Sequence, residues 1–131
     1  MHMKNILFFL CLFVFSSLKV QELSDVSCSH IDEAAKFKVG NPSLWLEKII
    51  SKSNDCNLKL RNTQGYEIVS FEIKTFMGDL SQSNVCTGNI FTEGAIAAMF
   101  ANSVTAIEID NLRVKNFGGT IVNIKGGKIT K

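Results

Sequence analysis

From residue 57 onward, apolar and polar side chains alternate. Leu58 and Leu60 are interleaved with Lys59 and Arg61, and Asn62-Thr63-Gln64-Gly65 supplies turn chemistry. Val69, Phe71 and Ile73 then share one side of a run whose other side carries Ser70, Glu72 and Lys74. A period of two over short runs predicts strands with one face on a core and the other in water. Similar runs occupy residues 104–109, with Ile107 and Ile109 on one face, 111–115, through Leu112 and Val114, and 120–124. Between the last two, Asn116-Phe117-Gly118-Gly119 offers the positive φ that a tight β-turn needs, so Gly118 and Gly119 mark a hairpin tip. Gly126-Gly127 separates a closing strand at 128–130.

The first half of the chain is less uniform. Residues 34–39 alternate briefly, with Phe37 and Val39 facing a core, and predict a first strand. Asn41 followed by Pro42 combines a helix N-cap residue with proline at the first helical position, which favours a short helix over 42–52 with Trp45 and Ile49, and Leu46 and Ile50 beside them, on its apolar side. The same residues also suit a strand and a bend in an all-β domain. Residues 77–88, rich in Gly, Asp, Ser and Asn, predict a polar connection. Thr92 can cap a helical run over EGAIAAMFANS, where Ile96, Met99 and Phe100 fall at i, i+3 and i+4.

The amino terminus has a different character. Lys4 precedes a nearly unbroken apolar run from residue 6 to 15, the length of a signal-peptide core and well short of the roughly 20 residues that span a bilayer. Residues 1–20 therefore predict a signal peptide cleaved before Gln21; an uncleaved anchor is the competing reading, because Leu18-Lys19-Val20 lacks the small residues of a cleavage site. No later segment is apolar enough to span a membrane. Residues 21–33 predict a flexible lead-in, and residues 34–131 a single small domain with one core. The formal charge of +2 over the whole chain belongs to Lys4 and Lys19; without them, twelve basic residues balance twelve acidic ones. A balanced chain has no basic footprint for nucleic acid.

Export permits disulfides, and the chain without its leader keeps Cys28, Cys56 and Cys86. Three pairings are open, and Cys56 with Cys86 is favoured because each sits in a polar turn segment beside a strand; the competing reading leaves all three thiols reduced. Lipidation of Cys28 is disfavoured, since Asp25-Val26-Ser27 precedes it and it lies well beyond the apolar core.

Candidate chemistry is sparse. His30 and Cys28 are too few for a closed zinc site. Glu108 and Asp110, two apart on a strand, project from one face as a carboxylate pair, yet no third ligand or partner base is evident. The glycines fit neither a Walker loop nor a dinucleotide fingerprint, and nucleophile-elbow and zincin motifs are absent. The expectation is a non-enzymatic protein with no catalytic residue, metal or cofactor.

The succession YEIVSFEIKT, TGNIFTEGAIAAMF and VTAIEIDNLRVKNFGGTIVNIKGGKITK resembles the C-terminal periplasmic domain of the gliding-motility protein GldM. That family shows an aromatic-x-Val-x-Ser-Phe strand, a Gly-x-Phe-Thr/Ser segment and a closing glycine-containing hairpin; residues 66–71, 88–92 and 109–124 occupy those places, within a match over 57–131. The tip reads Asn116-Phe117-Gly118-Gly119 where the family favours Gly-Pro-Asp-Gly. The resemblance implies a mainly β fold, an immunoglobulin-like β-sandwich with one or two short helices. It also implies a place in a Bacteroidota cell envelope, periplasmic or secreted, related to type IX secretion and gliding, and carries over no catalytic residue.

The resulting expectation is a binding or assembly module for a protein partner in the envelope. Its contacts would come from Phe117, Gly118 and Gly119 and from an edge strand at 104–109, an arrangement that also allows a homodimer; the competing reading of Phe117 is a turn aromatic folded back on the sandwich. The alternatives are a secreted inhibitor or immunity-like protein and a small secreted hydrolase that uses Glu108, Asp110 or His30.

Overall fold

A computed structural model describes residues 28–131. The expected leader and cleavage site, and most of the expected lead-in, therefore lie outside the described residues.

The elements follow in the order α1 (Ser29–Ala34), β1 (Lys38–Val39), β2 (Leu44–Ile50), β3 (Cys56–Asn62), β4 (Glu67–Met77), β5 (Leu80–Thr87), α2 (Glu93–Met99), β6 (Ala106–Lys115), β7 (Ile121–Ile124) and β8 (Gly127–Thr130). All pairings are antiparallel. One sheet has the order β1-β8-β6-β4-β5, with β7 also on β6, and β2 and β3 form a second. Leu44, Leu46, Leu58 and Leu60 of the small sheet share one core with Phe71, Ile73, Ile107, Ile109, Leu112 and Val114 of the large one. The protein is thus mainly β and sandwich-like, with two short helices.

The alternation from residue 57 becomes β3 and β4, and Leu58, Leu60, Phe71 and Ile73 are fully buried, but Val69, expected on the same face, is only partly buried while Ile68 is buried. The inward side changes parity along both central strands, from Ile68 to Phe71 on β4 and from Ile109 to Leu112 on β6. Register shifts between residues 68 and 72 on β4 accompany this change, and Asn111 has φ +47°. An irregularity of one residue flips every following side chain, so bulged strands let one sheet curve while keeping both halves on the core.

The helix expected at 42–52 is a strand. Leu44 and Leu46 are buried while Trp45 between them is 44% exposed, and β2 pairs with β3 without interruption from Leu44↔Asn62 to Ile50↔Cys56. The capping chemistry of Asn41 is used differently: its Oδ1 accepts from the Ser43 N–H (3.0 Å) and hydroxyl (2.7 Å), a side-chain turn that launches the strand.

The polar connection expected at 77–88 is mostly β5. Gly78, at φ +62°, and Asp79 form a two-residue turn, and eight residue pairs then zip from Met77↔Leu80 to Ser70↔Thr87. Its composition is polar because it is an edge strand whose largely exposed positions have only Cys86 fully buried.

The lead-in and first strand also shift. Residues 29–33 of the expected flexible segment, with Ala34 from the expected first strand, form α1, which buries Ile31 and Ala34, and the first strand shrinks to Lys38–Val39. The helix after Thr92 forms as expected, with the Thr92 hydroxyl accepting from the Ala95 N–H at 3.1 Å and Ile96 and Met99 buried.

Finally, residues 104–109 are no edge. β6 is flanked by β4 on one side and by β7 and β8 on the other. The glycine that seats β8 beside it is Gly126, where a Cβ would lie 2.2 Å from the Ile109 carbonyl oxygen.

Candidate functional site: the hairpin tip

The two strands of the β6–β7 hairpin pair as far as Lys115↔Ile121. Asn116 closes the turn three times: its N–H donates to Thr120 O (3.0 Å), its carbonyl accepts from the Gly119 N–H (3.0 Å), and its side-chain oxygen accepts from the Thr120 N–H (3.0 Å). Gly119 sits at φ +83°, a conformation that L side chains rarely adopt, with open space where a Cβ would be. Gly118 and Gly119 therefore do form a hairpin tip.

This turn holds Phe117 83% exposed, with Ile121 and Val122 exposed beside it. The ring is oriented all the same, since it meets Tyr66 edge-on with centroids 5.1 Å apart. Tyr66 is itself fixed by the buried Asn62, whose amide donates to Tyr66 O (2.9 Å) while its oxygen accepts from the Tyr66 N–H (2.9 Å). The Asn62 side chain thus holds the backbone of the residue whose ring touches the exposed Phe117. Tyr66 and Asn62 were not singled out as site residues in the sequence; the link is a spatial one between two turns some fifty residues apart.

The other expected site residues are placed differently. Cys56 pairs with Cys28, not with Cys86, at a Cα–Cα separation of 5.7 Å. The reason is topological: Cys56 opens β3 beside the cap of α1, whereas Cys86 is on the inward side of β5, buried near Thr92. Burial pushes the Cys86 thiol pKa above its ordinary value, against the opposing effect of its hydrogen bonds with Thr92. Cys28 in a disulfide offers no thiolate to a metal, and the His30 ring packs 5.9 Å from Phe100. Among the described residues, no group of three or more His, Cys, Asp or Glu side chains is placed to hold a metal ion.

Glu108 and Asp110 do share the outer face of β6. Glu108 stands opposite Lys74 and Lys128, and Asp110 opposite Glu72, while the Asp110 carboxylate accepts from the Asn111 N–H. They border an open cleft of about 730 Å³ against Asn41, Pro42 and Lys128. A second cleft of about 510 Å³ lies between the helices, lined by His30, Ile31, Phe91, Ile96 and Phe100. No helix among the described residues is long and apolar enough to cross a membrane.

Comparison of the chain with protein-family models, with curated proteins and with solved structures found no match in any of the three.

Proposed function

We propose that the protein is an exported, non-catalytic binding or assembly module of a cell envelope, of the kind its GldM-like sequence pattern suggests, and that the β6–β7 tip is its contact with a protein partner. One observation carries this reading: Phe117 is 83% exposed on a turn closed by three hydrogen bonds and is braced edge-on by Tyr66. A large aromatic ring left mostly in water contributes little to the fold, whereas an oriented one loses little side-chain freedom when a partner covers it. Aromatic anchors of this type dominate many protein interfaces. Ile121 and Val122 extend the apolar surface along β7.

Covering the ring supplies about 1.5–3 kcal/mol, so Phe117→Ala should weaken partner binding roughly 10- to 100-fold. The variant should still fold, because the edge-to-face contact with Tyr66 is worth only about 1 kcal/mol. An affinity pull-down from the native envelope, comparing wild type with Phe117→Ala, tests this. Recovery of a specific envelope protein that falls in the variant is the expected result. Equal recovery by a folded variant would remove the tip from the interface.

A further inference from the structure

We propose that β5 is a self-pairing edge through which two copies of this chain join their large sheets. The strand ends the sheet order, so among the described residues nothing pairs with its outer side. Exposed sheet edges are normally protected by charges, proline, bulges or shortness. Leu80-Ser81-Gln82-Ser83-Asn84-Val85-Cys86-Thr87 has no charge and no proline, runs eight residues, and pairs with β4 in unbroken register. It leaves Leu80 71% and Val85 61% exposed.

The register identifies which backbone groups are free. The Gly88 N–H donates to Val69 O, which makes the 69/88, 71/86, 73/84, 75/82 and 77/80 positions the hydrogen-bonded pairs of β4 and β5. Ser81, Ser83, Val85 and Thr87 therefore direct their N–H and C=O groups outward. A second β5, antiparallel about a two-fold axis, matches all four when Ser81 faces the second copy's Thr87 and Ser83 faces the second copy's Val85. That makes eight hydrogen bonds from one repeated strand.

An extended segment of another protein can satisfy the same backbone, so the side chains decide the occupant. In this register the two exposed Val85 side chains become diagonal neighbours across the seam and shield each other. Each outer row runs from Glu72 and Val85 of one copy to Ser83 and Lys74 of the second, which puts opposite charges at its two ends. On the inner face Asn84 meets its own copy on the axis. Asn84 Nδ2 is a buried side-chain nitrogen without a hydrogen-bond partner, and a turn of the amide gives it the second copy's side-chain oxygen as acceptor. Eight hydrogen bonds with a narrow apolar strip form a small interface, so the dimer is weak and concentration-dependent.

The test is sedimentation velocity on protein made from the full chain, over about 10 μM to 1 mM, the range of weak complexes. Hydrogen exchange at the same concentrations reports the edge amides. A monomer–dimer equilibrium is expected, with Ser81, Ser83, Val85 and Thr87 amides gaining protection as concentration rises. Ser83→Pro removes an outward N–H without touching the β4 ladder, and Val85→Lys places a charge at the seam. Each should raise the dissociation constant about tenfold or more while circular dichroism stays native. A monomer throughout, or a dimer unchanged in both variants, overturns the proposal. Edge protection that appears only with an added foreign protein also overturns it, in favour of strand donation by that protein. Phe117→Ala should leave the equilibrium unchanged, so failure here and failure of the tip reading are separate results.

Discussion

Replacing Cys28 and Cys56 together by serine removes a crosslink between the cap of α1 and the first residue of β3. The sequence separation is 28 residues, and closing a loop of that length in the unfolded chain corresponds to about 3.6 kcal/mol of stability on the chain-entropy model. Loss of the native-state anchor acts in the same direction: a six-residue helix is marginal alone and is held here by burial of Ile31 and Ala34. Measured effects of lost crosslinks often fall below the entropy figure, so the expected loss is about 2–3.5 kcal/mol, or about 10–17 °C in Tm for a domain near 100 residues. Urea unfolding of wild type and the double variant measures it. The rival pairing, Cys56 with Cys86, would close a loop of nearly equal length, so stability alone does not separate the two. A peptide map under non-reducing conditions does. A map joining Cys56 to Cys86 would refute the pairing, and a double variant destabilised by less than about 1 kcal/mol would refute the stabilisation worked out for it.

Other expectations follow from single sites. Gly126→Ala should destabilise by about 3 kcal/mol or more, because its Cβ meets backbone at 2.2 Å and β8 must move off β6; a near-neutral result in thermal unfolding would place the two strands further apart than described. Cys86 should resist alkylation in the native protein at pH 8 and react fully in urea, as burial both blocks it and raises its pKa. The linkage has a definite sign: above the ordinary thiol value of 9.0 the unfolded chain loses a proton that the folded one keeps, so stability should fall as pH rises through that range. Cys86→Ala should remove this alkaline component, and an unchanged pH slope would count against a buried neutral thiol.

The parts of the fold legible in the sequence are those where local pattern and tertiary demand agree. Period-two runs made β3, β4 and β6 readable, and Thr92 with Ile96 and Met99 made α2 readable. The strand β2 was obscured because Asn41-Pro42 looks the same whether an Asn side chain caps a helix or closes a turn before a strand. Only the pairing partner β3 decides. β5 was obscured by its own exposure: an edge strand with few buried positions lacks the alternation that marks the others. The apolar positions of β6 move from odd at 107 and 109 to even at 112 and 114, a visible sign of the irregularity at Asn111, but neighbour order is invisible in one strand, so β6 reads as an edge. Cysteine pairing failed for the same reason, because it depends on which ends the topology brings together. At the tip, Gly118-Gly119 announced the turn, whereas the Asn62–Tyr66 support beneath Phe117 joins distant turns and leaves no local trace.

The proposed function rests on contact between the Phe117 tip and a protein partner in the envelope. Its most direct test is a photo-crosslinking residue placed at 117 in the exporting cell, with the same residue at the exposed, remote Lys52 as control. A discrete adduct with an envelope protein from position 117, absent from position 52, is the predicted result. No adduct at 117, or the same adducts from both positions, would contradict it.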